Sequence, residues 1–194
     1  MAHAAAAHHS SLGLDNRKMA FWAFIGSECL LFASLISTYL IYKGRSVVGP
    51  YPHEILNIPF TSVSTFDLLM SSLMMVLALA AVQRGDLKWA KMWLFLTALL
   101  GMFFLAGQVY EFTSFVHEGL TLQRNLFGAT FFVLTGTHGA HVTVGVIWLL
   151  TLWWRALRGK LGKGHALTVE ICGLYWHFVD VVWIVIFTVV YLIQ

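Results

Sequence analysis

The sequence predicts an all-α, polytopic membrane protein: a bundle of five transmembrane helices with a cytoplasmic N-terminus. Three observations predict it. Of the 194 residues, 59% are hydrophobic and only 11% charged, and the mean hydropathy is +0.76. A soluble domain of this size could not cover so much apolar surface. The apolar residues form long continuous runs rather than alternating, which is the pattern of membrane helices and not of a barrel. Lysine and arginine are unevenly shared between the two sets of loops, which sets an orientation.

Five spans follow in order: Met19–Ile41, Thr61–Gln83, Trp89–Phe115, Leu126–Trp154 and Leu167–Ile193. Each is long enough for a hydrocarbon core of about 30 Å. Residues 1–18 read as a polar Ala/His/Ser-rich tail, and residues 19–194 as one domain. The tail has no apolar core of its own, so it is not a signal peptide. Its His3, His8 and His9 are read as solvated and not as a metal site. Asp15 and Asn16 are candidate caps for the first span. Pro50, Pro52 and Pro59 all fall between the first two spans, which predicts turns there rather than a helix. The other loops are short, so successive helices should be antiparallel neighbours.

Arg17, Lys18, Arg84, Lys88, Lys91, Arg155, Arg158, Lys160 and Lys163 lie on one side, against Lys43, Arg45 and Arg124 on the other. That bias puts the N-terminus in the cytoplasm and Gln194 outside. A net charge of +3 spread over loops is a topology signal and not a nucleic-acid patch. Trp89, Trp93, Trp148, Trp153, Trp154 and Tyr191 lie near span ends, where amphipathic rings favour the membrane interface. Cys29 and Cys172 are both expected to be small buried residues, with neither a disulfide nor a metal-binding spacing.

The informative residues are polar ones inside the spans, because a charge in hydrocarbon is costly and must be paired or neutralised. Glu170, Gly173, His177 and Asp180 form one polar stripe on the last helix. Glu28 has no basic residue within two turns and is expected to be buried and partly neutral. Gln108 and Glu111 share a face of the third helix, as a structural contact between helices or as part of a proton pathway. On the fourth helix, Thr135, His138 and His141 or Val142 share a face, and Gly136, Gly139 and Gly145 permit close approach. Two readings compete for the histidines. In one, His138 with His177 ligates haem or a metal. In the other, they bond carboxylates on neighbouring helices, for instance Glu170 or Asp180. The spacing contains neither HxxxH nor HExxH, which favours the second.

Several segments together resemble subunit III of the haem-copper oxygen reductases. They are FWAFIGSECLLFASLISTYL, EILNIPFTSVST, GQVYEF, GATFFVLTGTHGAHVTVGVIWL and YWHFVDVVWIVIFTVVYL. The resemblance runs from about Met19 to the C-terminus, and the last two motifs in tandem are its most specific part. The chain is similar to the short, five-helix form of that family, starting where the third helix of the seven-helix form stands. In the long form the two extra helices wall a lipid-filled cleft; without them that cleft is incomplete unless another subunit fills the gap.

The resemblance implies a subunit of a proton-pumping terminal oxidase of the bacterial cytoplasmic membrane. That subunit has no catalytic residue and holds no haem or copper, which belong to partner subunits. It implies direct packing on subunit I, with subunit II and a small subunit IV in the complex, bound phospholipid, and membership of respiratory supercomplexes. It implies that Glu28 is the buried carboxylate that reacts with carbodiimides, with a proton-related or lipid-related role. Gln108, Glu111, His138, His141, Glu170, His177 and Asp180 are implied to form the structural polar interior. Cytochrome c is favoured as electron donor. A quinol oxidase subunit and the accessory homologue of nitric oxide reductases are the alternatives within the family. From other classes, a stand-alone b-haem carrier predicts a Soret band in the isolated chain, and a proton-coupled transporter predicts activity without partners.

Overall fold

The computed structural model describes residues 15–193. The histidines of the N-terminal tail and Gln194 lie outside the described residues. The elements are α1 (Asn16–Tyr42), α2 (Pro52–Ile55), α3 (Ile58–Arg84), α4 (Leu87–His117), α5 (Leu126–Leu157) and α6 (Ala166–Phe187), the last continuing into a π-helical turn (Thr188–Leu192). Five of these helices are long and apolar enough to cross a membrane. No strand occurs among the described residues.

Local chemistry explains where the helices begin and turn. Asp15 caps α1, its carboxylate accepting from the Arg17 amide at 2.8 Å. The helix therefore starts at Asn16, three residues before the predicted span. The loop after α1 was expected to be free of helix, yet Pro52 opens the single turn α2 and Pro59 sits in the first turn of α3. Both prolines stand where a helix has no use for the missing N–H, so they start helices instead of preventing them. Between α3 and α4, Gly85 at φ +84° closes a tight turn. The Asp86 and Gly85 amides return to the Ala81 and Val82 carbonyls at 2.9 and 3.0 Å. Asp86 then caps α4 through the Trp89 amide.

Helices α3, α4, α5 and α6 form a four-helix ring, each packed on the next and α6 back on α3. Helix α1 lies outside this ring in the groove between α5 and α6. Trp176 of α6 is the hub. Its ring stands 2.6 Å from where a Cβ on Gly101 of α4 would be, and 2.8 Å from the same position at Gly145 of α5. Its indole nitrogen donates to Ser71 of α3 at 2.9 Å. Glycine at 101 and 145 is what lets a tryptophan fit between three helices. Gly139 also lies at a close contact, against Gln108, but Gly136 faces open space and brings no helix closer.

The core is continuous from Phe32 and Tyr39 of α1 through Phe104, Phe131, Trp176 and Trp183 to Tyr191. Helix α1 contributes little to it: only Ile25, Phe32 and Tyr39 are buried, one residue every two turns. Cys29 is exposed on this helix, contrary to expectation, while Cys172 is buried; both are free. Tyr191 also departs from the expected interfacial position and is buried at 1% exposure. The wider π turn carries its side chain into the bundle instead of along the membrane surface.

Candidate functional site

The polar residues singled out in the sequence do not form one stripe or one relay. They separate into four small clusters, each joining particular helices. The first joins α1 to α5. His141 Nε2 lies 3.0 Å from Glu28 Oε2, and His141 Nδ1 lies 2.8 Å from the Thr137 carbonyl. A carbonyl can only accept, so Nδ1 carries a hydrogen. The Glu28–His141 contact then shares one further proton, as imidazolium with carboxylate or as imidazole with carboxylic acid. Glu28 is half-buried and has a basic partner 113 positions away, where the sequence alone suggested an isolated acid. The Phe32 ring packs edge-on against the His141 ring at 5.0 Å, and the Tyr175 hydroxyl donates to the His141 carbonyl at 3.0 Å.

His141 and Tyr175 also line an apolar cleft of about 490 Å³ between α1, α5 and α6, walled by Phe21, Phe24, Val144 and Trp148. The pair is therefore placed beside a space that an acyl chain would fit chemically.

The second cluster joins α3 to α6. Ser72 donates to Asp180 Oδ2 at 2.7 Å, and its oxygen lies 3.2 Å from His177 Nδ1. Asp180 is 5% exposed, and its Oδ1 is buried without a hydrogen bond. Trp183 donates to Thr65 at 2.9 Å along the same seam. The third cluster joins α4, α3 and the π turn. Thr61 donates to Glu111 Oε1 at 2.5 Å, and Tyr191 donates to Oε2 at 3.4 Å. Gln108, one turn earlier, turns instead to α5 and donates to the Thr135 carbonyl at 2.7 Å. The two residues share a helix face but serve different neighbours, which supports inter-helix contact over a relay. The fourth is Lys18 with Glu170 at 2.5 Å, joining α1 to α6. Glu170 therefore belongs to a different contact from Asp180, although both lie on one helix.

The histidine readings can now be compared with geometry. His138 is fully buried, and its Nε2 donates to the Val179 carbonyl at 3.1 Å. Phe104 and Trp183 enclose its ring at 5.8 and 4.9 Å. His177 lies on the α3 side of α6, so the two rings do not face a common space. The expected carboxylate partners were Glu170 and Asp180. Instead Glu28 pairs with His141, a carbonyl serves His138, and Asp180 reaches His177 only through Ser72. Among the described residues, no group of three His, Cys, Asp or Glu side chains is placed to hold a metal ion.

Sequence reasoning missed the partners Ser71, Ser72, Thr61, Thr65 and Lys18. A signal for most of them exists. Thr61, Thr65 and Ser72 recur at helical spacing along α3, and Trp176 and Trp183 stand two turns apart on α6.

Comparison with known proteins places this arrangement in a family. The family profile described as cytochrome c oxidase subunit III matches residues 2–194. The chain is 42% identical over 189 residues to a cytochrome c oxidase subunit 3 from Bacillus sp. (strain PS3), covering 97% of this chain and 91% of that protein. It is 40% identical over 174 residues to a quinol oxidase subunit 3 from Bacillus subtilis (strain 168), covering 90% and 85%. It is 38% identical over 175 residues to a cytochrome bo(3) ubiquinol oxidase subunit 3 from Pseudomonas putida, covering 90% and 84%. With the family's segments spread over every membrane-spanning helix of this bundle, the chain belongs to the cytochrome c oxidase subunit III family.

Proposed function

We propose that this chain is the non-redox subunit III of a proton-pumping, oxygen-reducing haem-copper oxidase, with cytochrome c as donor, in a bacterial cytoplasmic membrane. Haems and copper reside in the partner subunits. This chain packs on subunit I beside subunit II and a small subunit IV, and supports proton uptake into subunit I. The N-terminus faces the cytoplasm, as the lysine and arginine bias supports. Residues 19–194 act as one five-helix unit behind the polar tail.

The observation that carries the reading is the Glu28–His141 pair beside the apolar cleft. Two groups sharing one mobile proton at half-burial can exchange it with neighbours, and the cleft suits a phospholipid acyl chain. The neutral-acid form of the pair is the form that carbodiimides attack. A quinol donor is the second reading, because the relatives named quinol oxidase subunit 3 match almost as well as the cytochrome c relative.

Two measurements test this. Copurification of subunits I and II, with a dicopper Cys/His site in subunit II, supports cytochrome c; a subunit II without that site makes the enzyme a quinol oxidase. Glu28→Gln keeps a hydrogen bond to His141, so assembly should change by no more than about 1 kcal/mol. The same variant should escape carbodiimide and, in reconstituted enzyme, inactivate faster during turnover or release fewer protons per electron. Turnover lifetime and proton release equal to wild type would remove Glu28 from the proton role.

A further inference from the structure

Asp67 is the one acid inside a span that none of the four clusters absorbs. It lies on α3, four residues from the helix midpoint at Ser71, roughly 6 Å along the axis at 1.5 Å per residue. It is half-buried and makes no hydrogen bond or ion pair among the described residues. An aspartate side chain is too short to reach the membrane interface from that depth.

Its surroundings can be placed by register. Phe60 of α3 packs on Tyr110 of α4, with ring centroids 5.5 Å apart. The helices are antiparallel, so Asp67, seven residues after Phe60, stands level with Phe103, seven before Tyr110. Phe103 and Tyr110 are 58% and 65% exposed, as is Phe66 beside Asp67 at 58%. The outward face of the α3–α4 pair is thus aromatic and apolar with one carboxylate near its centre. The nearest basic residues on these helices are far along them. Arg84 is 17 positions from Asp67, and Lys91 is 12 positions from Phe103. No cation of α3 or α4 can compensate this carboxylate, and lipid tails cannot either.

We propose that the outward face of α3 and α4 is a docking surface for a transmembrane helix of another oxidase subunit, which supplies a lysine or arginine to Asp67. The inference rests on the family reading, since that reading supplies a partner within the membrane. Charge complementarity selects the occupant. The Asp67 carboxyl has no ion-pair partner among the described residues, and exposed aromatic rings on either side give the incoming helix an apolar seat. Association of two copies of this chain through the same face would bring two carboxylates together and is disfavoured.

The test uses the intact complex in native membranes. A photo-crosslinking phenylalanine analogue at Phe103 reports what covers this face, and one at Ile147, exposed on α5 and not on the α3–α4 pair, serves as the comparison. The expected result is an adduct from position 103 to a membrane helix of another subunit that carries a lysine or arginine. In addition, Asp67→Asn should lower severalfold the fraction of chain retained on the complex in detergent, with Asp67→Glu retaining more. Crosslinking of position 103 to lipid only, or to a second copy of the chain, would overturn the proposal. So would unchanged retention of Asp67→Asn, because the ionic contact would then be absent. If the chain fails to copurify with any oxidase subunit, the family function is at fault; if it copurifies but position 103 finds no subunit, only this surface is.

Discussion

Asp180 accepts one hydrogen bond, from Ser72, and its other oxygen is buried without one. Removing the Ser72 hydroxyl would leave both oxygens without a donor. Ser72→Ala should therefore cost about 1–3 kcal/mol, the penalty for stranding a buried acceptor. Ser71→Ala removes the bond to the Leu68 carbonyl and strands the buried Trp176 indole N–H, so it too should cost about 1–3 kcal/mol. Unfolding of the purified complex in graded denaturant should show both losses. The double variant Ser72→Ala with Asp180→Leu should recover part of the loss, because no carboxyl is then left buried alone, while half-buried His177 still loses the Ser72 oxygen. Unchanged stability in Ser72→Ala would show that Asp180 has another donor in the assembled enzyme.

Contacts between elements depend on small residues as much as on polar ones. A Cβ at Gly139 would stand 2.5 Å from Gln108 Oε1. Gln108 cannot swing away freely, because it is buried and its other end is held by the Thr135 carbonyl. Gly139→Leu should therefore force α4 and α5 apart and lower the yield of assembled oxidase. The haem spectrum of whatever assembles should stay unchanged under the proposed function, which places the haems in partner subunits. Gly136→Ala meets nothing within 4 Å and should assemble like wild type. Reduced yield in both variants would mean that the outer side of α5 is also packed in the complex. Helix α1 is tied to α6 at its two ends, by Lys18 to Glu170 and by the Lys43 ammonium donating to the Ile193 carbonyl. Lys18→Ala should cost only about 0.2–1 kcal/mol, because the pair is about one-third exposed and therefore screened. Its effect should show as faster loss of native helix packing in detergent at low salt, and should fade in high salt, which already screens the wild-type pair.

At the scale of the molecule, the parallel course of α1 and α6 gives an internal check on topology. Lys18 and Glu170 stand at one end of the bundle, and Lys43 and Ile193 at the other, as an odd number of spans requires. With the basic loops inside, a reporter fused after Gln194 should be active only on the outer side. A cysteine placed at Gly162 should label only from the cytoplasm, and one at Thr121 only from outside. A cytoplasmic reporter after Gln194 would reverse the orientation.

The number, length and order of the membrane helices were legible in the sequence because lipid offers no hydrogen bonds, so any long apolar run must satisfy its own backbone as a helix. The family was legible for the same reason at finer grain. The segments around Glu28, Glu111, His141 and Asp180 combine polar residues with apolar context that membranes rarely tolerate. Pairings were a different matter. Glu28 looked isolated because helical spacing reports only neighbours on its own helix, and His141 lies on another. Glu170 and Asp180 looked like one stripe because they share a helix face, yet α6 is long enough to cross from α1 at one end to α3 in its middle. Tyr191 looked interfacial by position, and a single wide turn brought it inside. Composition and periodicity determined that these groups had to be satisfied somewhere in the membrane. Only the packing of α1 outside the four-helix ring, with Trp176 seated between glycines, decided which group satisfies which. Those distances are set by side-chain volume and helix crossing, and one helix's sequence contains neither its neighbour's position nor its rotation.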